Sequence, residues 1–89
     1  MIYKVGYTGK AWKDLQKLDI SISQRIAKKM RFFMEKSDPM KYAKELKRDY
    51  KGLFRFRIGD YRVIFSKDSK GTITVLTVLR IKHRMEVYS

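Results

Sequence analysis

The sequence LFRFRIGDYRVIF, residues 53–65, constrains the fold more than any other part of the chain. Apolar and polar residues alternate on both sides of Gly59-Asp60, a pattern typical of two half-buried strands joined by a two-residue turn. Residues that oppose each other across such a hairpin point to the same side of the sheet. The predicted pairs are Ile58 with Tyr61, Arg57 with Arg62, Phe56 with Val63, Arg55 with Ile64, and Phe54 with Phe65.

This register gives the hairpin one apolar face and one face rich in arginine. The apolar face is predicted to join the core, and Arg55, Arg57 and Arg62 are expected to be exposed on the other. Arg57 opposite Arg62 is a like-charge pair, which destabilises a sheet unless an anion or a carboxylate lies between the two groups. Asp60 lies in the turn and does not point that way. Because guanidinium groups match the geometry of phosphate, we favour an anion site over an ordinary solvated face.

The remaining segments predict a single α+β domain over residues 1–89. The order β-α-α-β-β-β indicates an antiparallel sheet with two helices packed on one face. A strand is predicted over residues 2–7, followed by a helix from about Gly9 to Leu18 that Thr8 caps. A second helix, capped by Ser21 or Ser23, has Ile22, Ile26, Met30 and Phe33 on its apolar stripe, and Asp38-Pro39 begins a short helix over residues 39–47. Three further strands are predicted over about Leu53–Ile58, Tyr61–Lys67 and Thr72–Arg80.

The last strand is predicted to extend the arginine cluster. Residues 68–71 are expected to connect it to the preceding strand. If its odd-numbered residues, from Ile73 to Leu79, join the core, then Arg80 and Lys82 lie on the same face as the arginines.

The segment after this strand contains the one histidine of the chain, His83, and the phenol of Tyr88. A lone histidine is more often structural than catalytic. Basic neighbours and Tyr88 make a functional role equally plausible here, because proton transfer requires a group that titrates.

Charge narrows the range of partners. The chain has 22 Lys+Arg against 9 Asp+Glu, a net charge of +13, which favours a polyanionic partner such as nucleic acid, an acidic protein or an anionic membrane.

No apolar run is long enough to span a bilayer, and no signal-peptide core is evident, so we expect a cytoplasmic protein with no membrane partner. One histidine without cysteine or a carboxylate cluster predicts no metal site and no cofactor.

Two segments resemble the RelE branch of the RelE/ParE toxin superfamily: KELKRDYKGLFRFRIGDYRVIF and HRMEVY. With the order of elements, the resemblance covers nearly the whole chain. It implies a RelE-like microbial RNase fold and the toxin of a type II toxin–antitoxin pair that cuts mRNA on the ribosome without a metal. The implied partners are an acidic, RelB-like antitoxin, the ribosome and mRNA.

The resemblance also implies which residues act. By position, the active site falls on Arg55, Arg57, Arg62, Lys82 and Tyr88, with Arg84 in the HRMEVY ending. Arginine stays protonated, so the hairpin arginines are expected to stabilise charge. We expect Tyr88 to transfer protons and His83 to be secondary or structural. Lys28 and Arg31 of the second helix, together with Arg80, are expected to contact RNA.

Two other functions remain open. A ParE-like protein would inhibit DNA gyrase without cutting nucleic acid, and would not need Arg62, Lys82 or Tyr88. A basic module that only binds nucleic acid would need neither Tyr88 nor His83.

Overall fold

The strands form a single five-stranded sheet in the order β1-β5-β4-β3-β2. The computed structural model describes residues 2–47 and 52–87. Its elements are β1 (Ile2–Tyr7), α1 (Gly9–Lys17), α2 (Ile20–Met34), a 3₁₀ helix (Pro39–Tyr42), β2 (Ala43–Glu45), β3 (Leu53–Ile58), β4 (Tyr61–Lys70), β5 (Ile73–His83) and α3 (Arg84–Val87). None of the helices in these ranges is long and apolar enough to cross a membrane.

The α+β class is confirmed, but the sheet is mixed rather than antiparallel. Strand β1 pairs in parallel with β5, whereas the β2–β3, β3–β4 and β4–β5 pairs are antiparallel. The chain between β1 and β5 runs through both long helices and through β2–β4, and this long connection permits the parallel pairing.

The β3–β4 hairpin has the predicted register. Each of the five pairs between Ile58–Tyr61 and Phe54–Phe65 is formed. Gly59 has φ +58°, a conformation that most side chains disfavour, so the Gly59-Asp60 turn depends on this glycine.

The core lies between the inner face of the sheet and the helices. Phe56 is fully buried, with its ring 4.5 Å from that of Phe33 in α2 and 4.6 Å from that of Phe65 in β4, measured between centroids. Thr8 caps α1 as predicted, because its hydroxyl accepts a hydrogen bond from the Ala11 amide. The buried hydrophobic cluster comprises Ala11, Ile26, Met30, Phe33, Phe56, Ile58, Val63, Phe65, Leu76, Val78 and Ile81.

The helix predicted over residues 39–47 is wrong. Asp38 caps a single 3₁₀ helix that ends at Tyr42, and the chain then pairs with the edge of β3 as β2. Pairing satisfies backbone groups of β3 that would otherwise be left open at the sheet edge. It also places Lys44 directly opposite Arg55.

The first half of β5 contradicts the predicted alternation. Thr74, Leu76 and Val78 are fully buried, whereas Ile73 and Val75 are exposed. Strand β4 continues to residue 70, which pairs with residue 73, so the connection is two residues long and not the predicted 68–71. Either connection places an even-numbered residue of β5 opposite the buried Phe65, Val78 in the observed register, so the even-numbered residues face inward.

A β-bulge reverses the alternation in the second half of β5. The pairing with β4 skips Leu79, and beyond it Ile81 joins the core. Arg80 and Lys82 therefore lie on the outer face, with Lys82 opposite Arg62. The predicted position of both basic residues is confirmed, although the alternation from which it was derived is wrong.

Candidate anion-binding site

Three cationic side chains lie in one row across the outer face of the sheet. Arg57 of β3 opposes Arg62 of β4, which in turn opposes Lys82 of β5. Directly opposed side chains lie about 5 Å apart at Cβ, so both pairs repel. In the ranges that the structure describes, no ion pair joins this cationic row (Arg57, Arg62 and Lys82) to a carboxylate. The row is therefore an unfavourable arrangement that an anion would relieve.

Arg62, expected to be exposed, is buried, with 4% of its surface accessible. Its Nη1 donates hydrogen bonds to the carbonyl oxygens of Gly59 (3.1 Å) and Tyr61 (3.0 Å). Its Nε is also buried and has no hydrogen-bond partner among the described residues. A buried donor without an acceptor costs about 1–3 kcal/mol. The turn thus fixes the guanidinium group, and its Nε–H is left without an acceptor among the described residues in a position that solvent does not reach.

A second pair of cations lies beside this row. Lys44 of β2 opposes Arg55 of β3, one step along the strand from Arg57 on the same face. Lys44 is exposed and Arg55 is half-buried. Sequence reasoning missed Lys44 because Asp38-Pro39 signals where a helical turn begins but not where it ends.

Arg80 is neutralised by a carboxylate of α1. Its Nε donates to Asp14 Oδ2 at 2.9 Å and its Nη2 to Oδ1 at 3.2 Å, and Asp14 Oδ2 also accepts from the Ile81 amide at 2.8 Å. Burial alone would raise the pKa of Asp14. The hydrogen bonds from Arg80 and Ile81, with the charges of Arg80 and Lys82, outweigh burial and hold this pKa below its ordinary value. Asp14 thereby fastens α1 to β5, and sequence reasoning gave it no role.

His83 lies on the opposite face of the sheet from the cationic row. It pairs with Tyr61, and the two rings meet edge to face at 5.4 Å. Nδ1 accepts a hydrogen bond from the Met85 amide at 3.2 Å, which assigns the proton of the neutral ring to Nε2. The backbone amide of His83 donates to Glu86 Oε1 at 3.0 Å.

The other predicted residues are distributed around the molecule. Arg84 follows β5 and ties it to the hairpin turn, since its amide donates to the Asp60 carbonyl at 2.7 Å and its Nε lies 3.7 Å from Asp60 Oδ1. Lys28 and Arg31 are exposed on α2, which packs on the inner face. Tyr88 lies outside the described residues.

The structure thus brings together Arg55, Arg57, Arg62 and Lys82 and adds Lys44. Fixed guanidinium and ammonium groups can bind a phosphodiester and stabilise charge that develops on its oxygens. Among the described residues, no group of three or more His, Asp or Glu side chains is placed to hold a metal ion.

Comparison with known proteins gives consistent matches over the full domain. A family model described as "ParE toxin of type II toxin-antitoxin system, parDE" matches residues 5–88. Toxin RelG of Mycobacterium tuberculosis is 33% identical over 88 residues, covering 99% of this chain and 98% of that protein.

Two solved complexes also align. A chain of the toxin–antitoxin complex RelBE2 from Mycobacterium tuberculosis is 31% identical with a TM-score of 0.73, over 94% of this chain and 100% of that one. A chain of the archaeal RelE–RelB complex from Pyrococcus horikoshii is 28% identical with a TM-score of 0.66, over 94% and 97% of the two chains.

Proposed function

The chain belongs to the RelE/ParE family of type II toxin–antitoxin toxins, and on this premise we propose that it is an endoribonuclease that cuts mRNA on the ribosome. The observation that carries the proposal is the cationic row, whose central member, Arg62, holds a buried Nε without a partner among the described residues. An anion in contact with three cations would offset their repulsion and accept this hydrogen bond.

The proposed reaction needs no nucleophile from the protein. The RNA 2′-hydroxyl attacks the adjacent phosphorus, the O2′–P bond forms and the P–O5′ bond breaks. The products are a 2′,3′-cyclic phosphate and a 5′-hydroxyl. One proton leaves O2′ and one reaches O5′, so the protein must align the strand, neutralise the phosphoryl oxygens and move two protons.

The row suits the first two tasks. Arg62 is held in place by the Gly59 and Tyr61 carbonyls, and its buried Nε can donate to a phosphoryl oxygen once the side chains that cover it move aside. Arg57 and Lys82 flank it and would share the developing negative charge. Arg55, in the neighbouring row, would contact the adjoining nucleotide.

Proton transfer is assigned to Tyr88, with His83 secondary or structural. Arginine cannot serve, and the register that pairs His83 with Tyr61 on the inner face supports the choice. The test is single-turnover cleavage of mRNA in the ribosomal A site by the Tyr88→Phe and His83→Gln proteins at equal ribosome affinity. We expect Tyr88→Phe to be slower by roughly 10²–10⁴-fold. Normal cleavage by Tyr88→Phe with an inactive His83→Gln protein would reverse the assignment.

The nuclease function itself is tested by primer extension on cellular mRNA after induced expression. We expect new 5′ ends within translated regions, and 2′,3′-cyclic phosphates on the upstream fragments. Growth arrest without new ends would reject mRNA cleavage.

A second function is favoured by the description of the matching family model, which names the ParE toxin. A ParE-like protein would inhibit DNA gyrase. If supercoiling by purified gyrase is blocked by this protein and also by its Arg62→Lys variant, gyrase inhibition replaces the nuclease function.

The proposed partner is an acidic antitoxin. The aligned RelBE2 and RelE–RelB structures are complexes with antitoxins, and a net charge of +13 suits an acidic segment that folds on binding. The complex would form in the cytoplasm, where mRNA is translated. Its affinity should fall as salt rises, and a salt-independent affinity would contradict the electrostatic part of this proposal.

A further inference from the structure

An open groove of about 730 Å³ lies between α2 and the turn of the β3–β4 hairpin. Three cations of α2 line it, Arg25, Lys28 and Lys29, and Arg57 of the cationic row lines it as well. Asp60 is the one carboxylate among the described residues that line it. The groove is therefore strongly cationic, although α2 packs on the inner face of the sheet.

The groove continues the cationic row past the edge of the sheet. Strand β2 pairs with residues 54–56 of β3, so Arg57 lies beyond the covered part of that edge in the described structure. The row runs from Lys82 through Arg62 to Arg57, and the groove begins where the row ends. Arg57 belongs to both surfaces and joins them into one track.

The wall of the groove on α2 is packed directly against the hairpin turn. A Cβ placed on Gly59 would lie 2.9 Å from Arg25 Nη2. The positive φ of the turn is what requires glycine here, and the guanidinium group of Arg25 lies close to it. Arg25 and Arg57 both line the groove.

We propose that this groove binds the single-stranded RNA that flanks the phosphate held by the cationic row, through contacts from Arg25, Lys28 and Lys29 to successive phosphates. The inference rests on the proposed nuclease function and extends it from one phosphate to a path for the strand. Backbone phosphates require only charge and reach, which these side chains supply without base recognition.

The side chains of the groove favour RNA over an acidic protein segment. A segment that folds on binding needs apolar contacts to offset the entropy it loses. Ile58 is only 4% exposed, and the Phe32 ring has Lys29 Nζ 4.5 Å and Lys36 Nζ 4.3 Å from its centroid. Phe32 is 39% exposed and flanked by these cations, an arrangement that suits a base stacked between phosphate contacts.

The test measures binding of a non-cleavable 2′-O-methyl RNA oligonucleotide at several salt concentrations. For single strands, the slope of log K against log salt changes by about 0.7 for each phosphate contact. The Lys28→Gln/Lys29→Gln protein should lose two contacts, so its slope should be shallower by about 1.4. The matched control, Lys13→Gln/Lys17→Gln, removes the same charge from the exposed part of α1 and should keep the parental slope. Circular dichroism checks that both variants remain folded.

Equal slopes for the groove variant and the control would overturn the proposal. It would also be overturned if a synthetic acidic peptide lost affinity for the groove variant while the RNA did not, because the groove would then be a protein site. Cleavage by the parental protein is measured in parallel. Absent cleavage together with the predicted slopes would reject the nuclease function and support RNA binding in the groove.

Discussion

Successive side chains of the β3–β4 hairpin point alternately to its inner and outer faces, yet the two faces contribute oppositely to stability. On the inner face, Phe56, Val63 and Phe65 are fully buried in the core cluster, which includes residues of both long helices. On the outer face, Arg57 and Arg62 oppose each other without a carboxylate between them in the described structure. The inner face stabilises the fold, and the outer face is maintained at a cost in stability, which is expected of a binding site.

A second contrast, within the outer face, leads to the same conclusion. Arg80 and Lys82 lie two residues apart on β5, but only Arg80 is paired with Asp14. The fold can therefore place a carboxylate against a cation of this strand. In the described structure no ion pair of this kind is made by the row, as the proposed anion site requires.

The largest effect is expected from the inner face. Phe56→Ala should lower the free energy of unfolding by about 3–5 kcal/mol, because it removes a fully buried ring between Phe33 and Phe65. Urea denaturation measures this change. A loss below about 1 kcal/mol, the size of an average substitution, would show that the stability is not concentrated on this face.

The next largest effect, on activity and not on stability, is expected from Arg62→Lys. Lysine keeps the positive charge but lacks the Nε–H and the planar guanidinium group, so single-turnover cleavage should fall roughly 10²–10³-fold. The thermal midpoint of the variant is compared with that of the parent to separate folding from chemistry. Parental cleavage rates in a folded variant would mean that Arg62 does not contact the reacting phosphate.

A smaller effect, on stability and its pH dependence, is expected from Asp14→Asn. The folded pKa of Asp14 is lowered, so its carboxylate stabilises the fold above its ordinary pKa of 3.8, and this contribution is lost as pH falls through the folded pKa. Hydrogen bonds to charged groups typically contribute about 1.5–3 kcal/mol. Because Arg80 is partly exposed, the variant should lose an amount near the lower end of this range at neutral pH. In acid the two proteins should converge, whereas a difference that is constant with pH would exclude the charged pair as its cause.

The smallest effect has the opposite sign. Arg57→Gln removes one member of a like-charge pair and should raise the free energy of unfolding by about 0.2–1 kcal/mol while cleavage falls. The gain should shrink at high salt. Lys41→Gln, which removes the same charge from an exposed site outside the row, is the control. If Arg57→Gln is no more stable than this control, the row carries no repulsion.

Local rules were sufficient for the hairpin. A two-residue turn and a side-chain period of two determine which residues oppose each other, so the Arg57–Arg62 pair could be predicted from the sequence alone. In β5 the odd-numbered face was assumed to be inward, whereas pairing with β4 places even-numbered residues such as Val78 opposite the buried Phe65, and the bulge at Leu79 leaves no signature in the sequence.

Other features depend on contacts between distant segments. Arg62 is buried because its guanidinium group folds back on the turn, and Arg80 is neutralised by a carboxylate 66 residues away. Lys44 joins the outer face only because residues 43–45 pair with β3. No periodicity in the sequence reports such contacts, so the cationic residues could be predicted but not their division into paired and unpaired groups.

The central claim, that the row is a phosphate site centred on Arg62, is tested most directly by NMR of the arginine Nε–H groups. The protein is titrated with the non-cleavable 2′-O-methyl RNA, and Arg80 serves as an internal reference because its Nε already donates to Asp14. We predict that the Arg62 Nε–H signal shifts on binding, while the Arg80 signal stays in place. Binding that moves backbone amide signals but leaves Arg62 Nε–H unchanged would contradict the account.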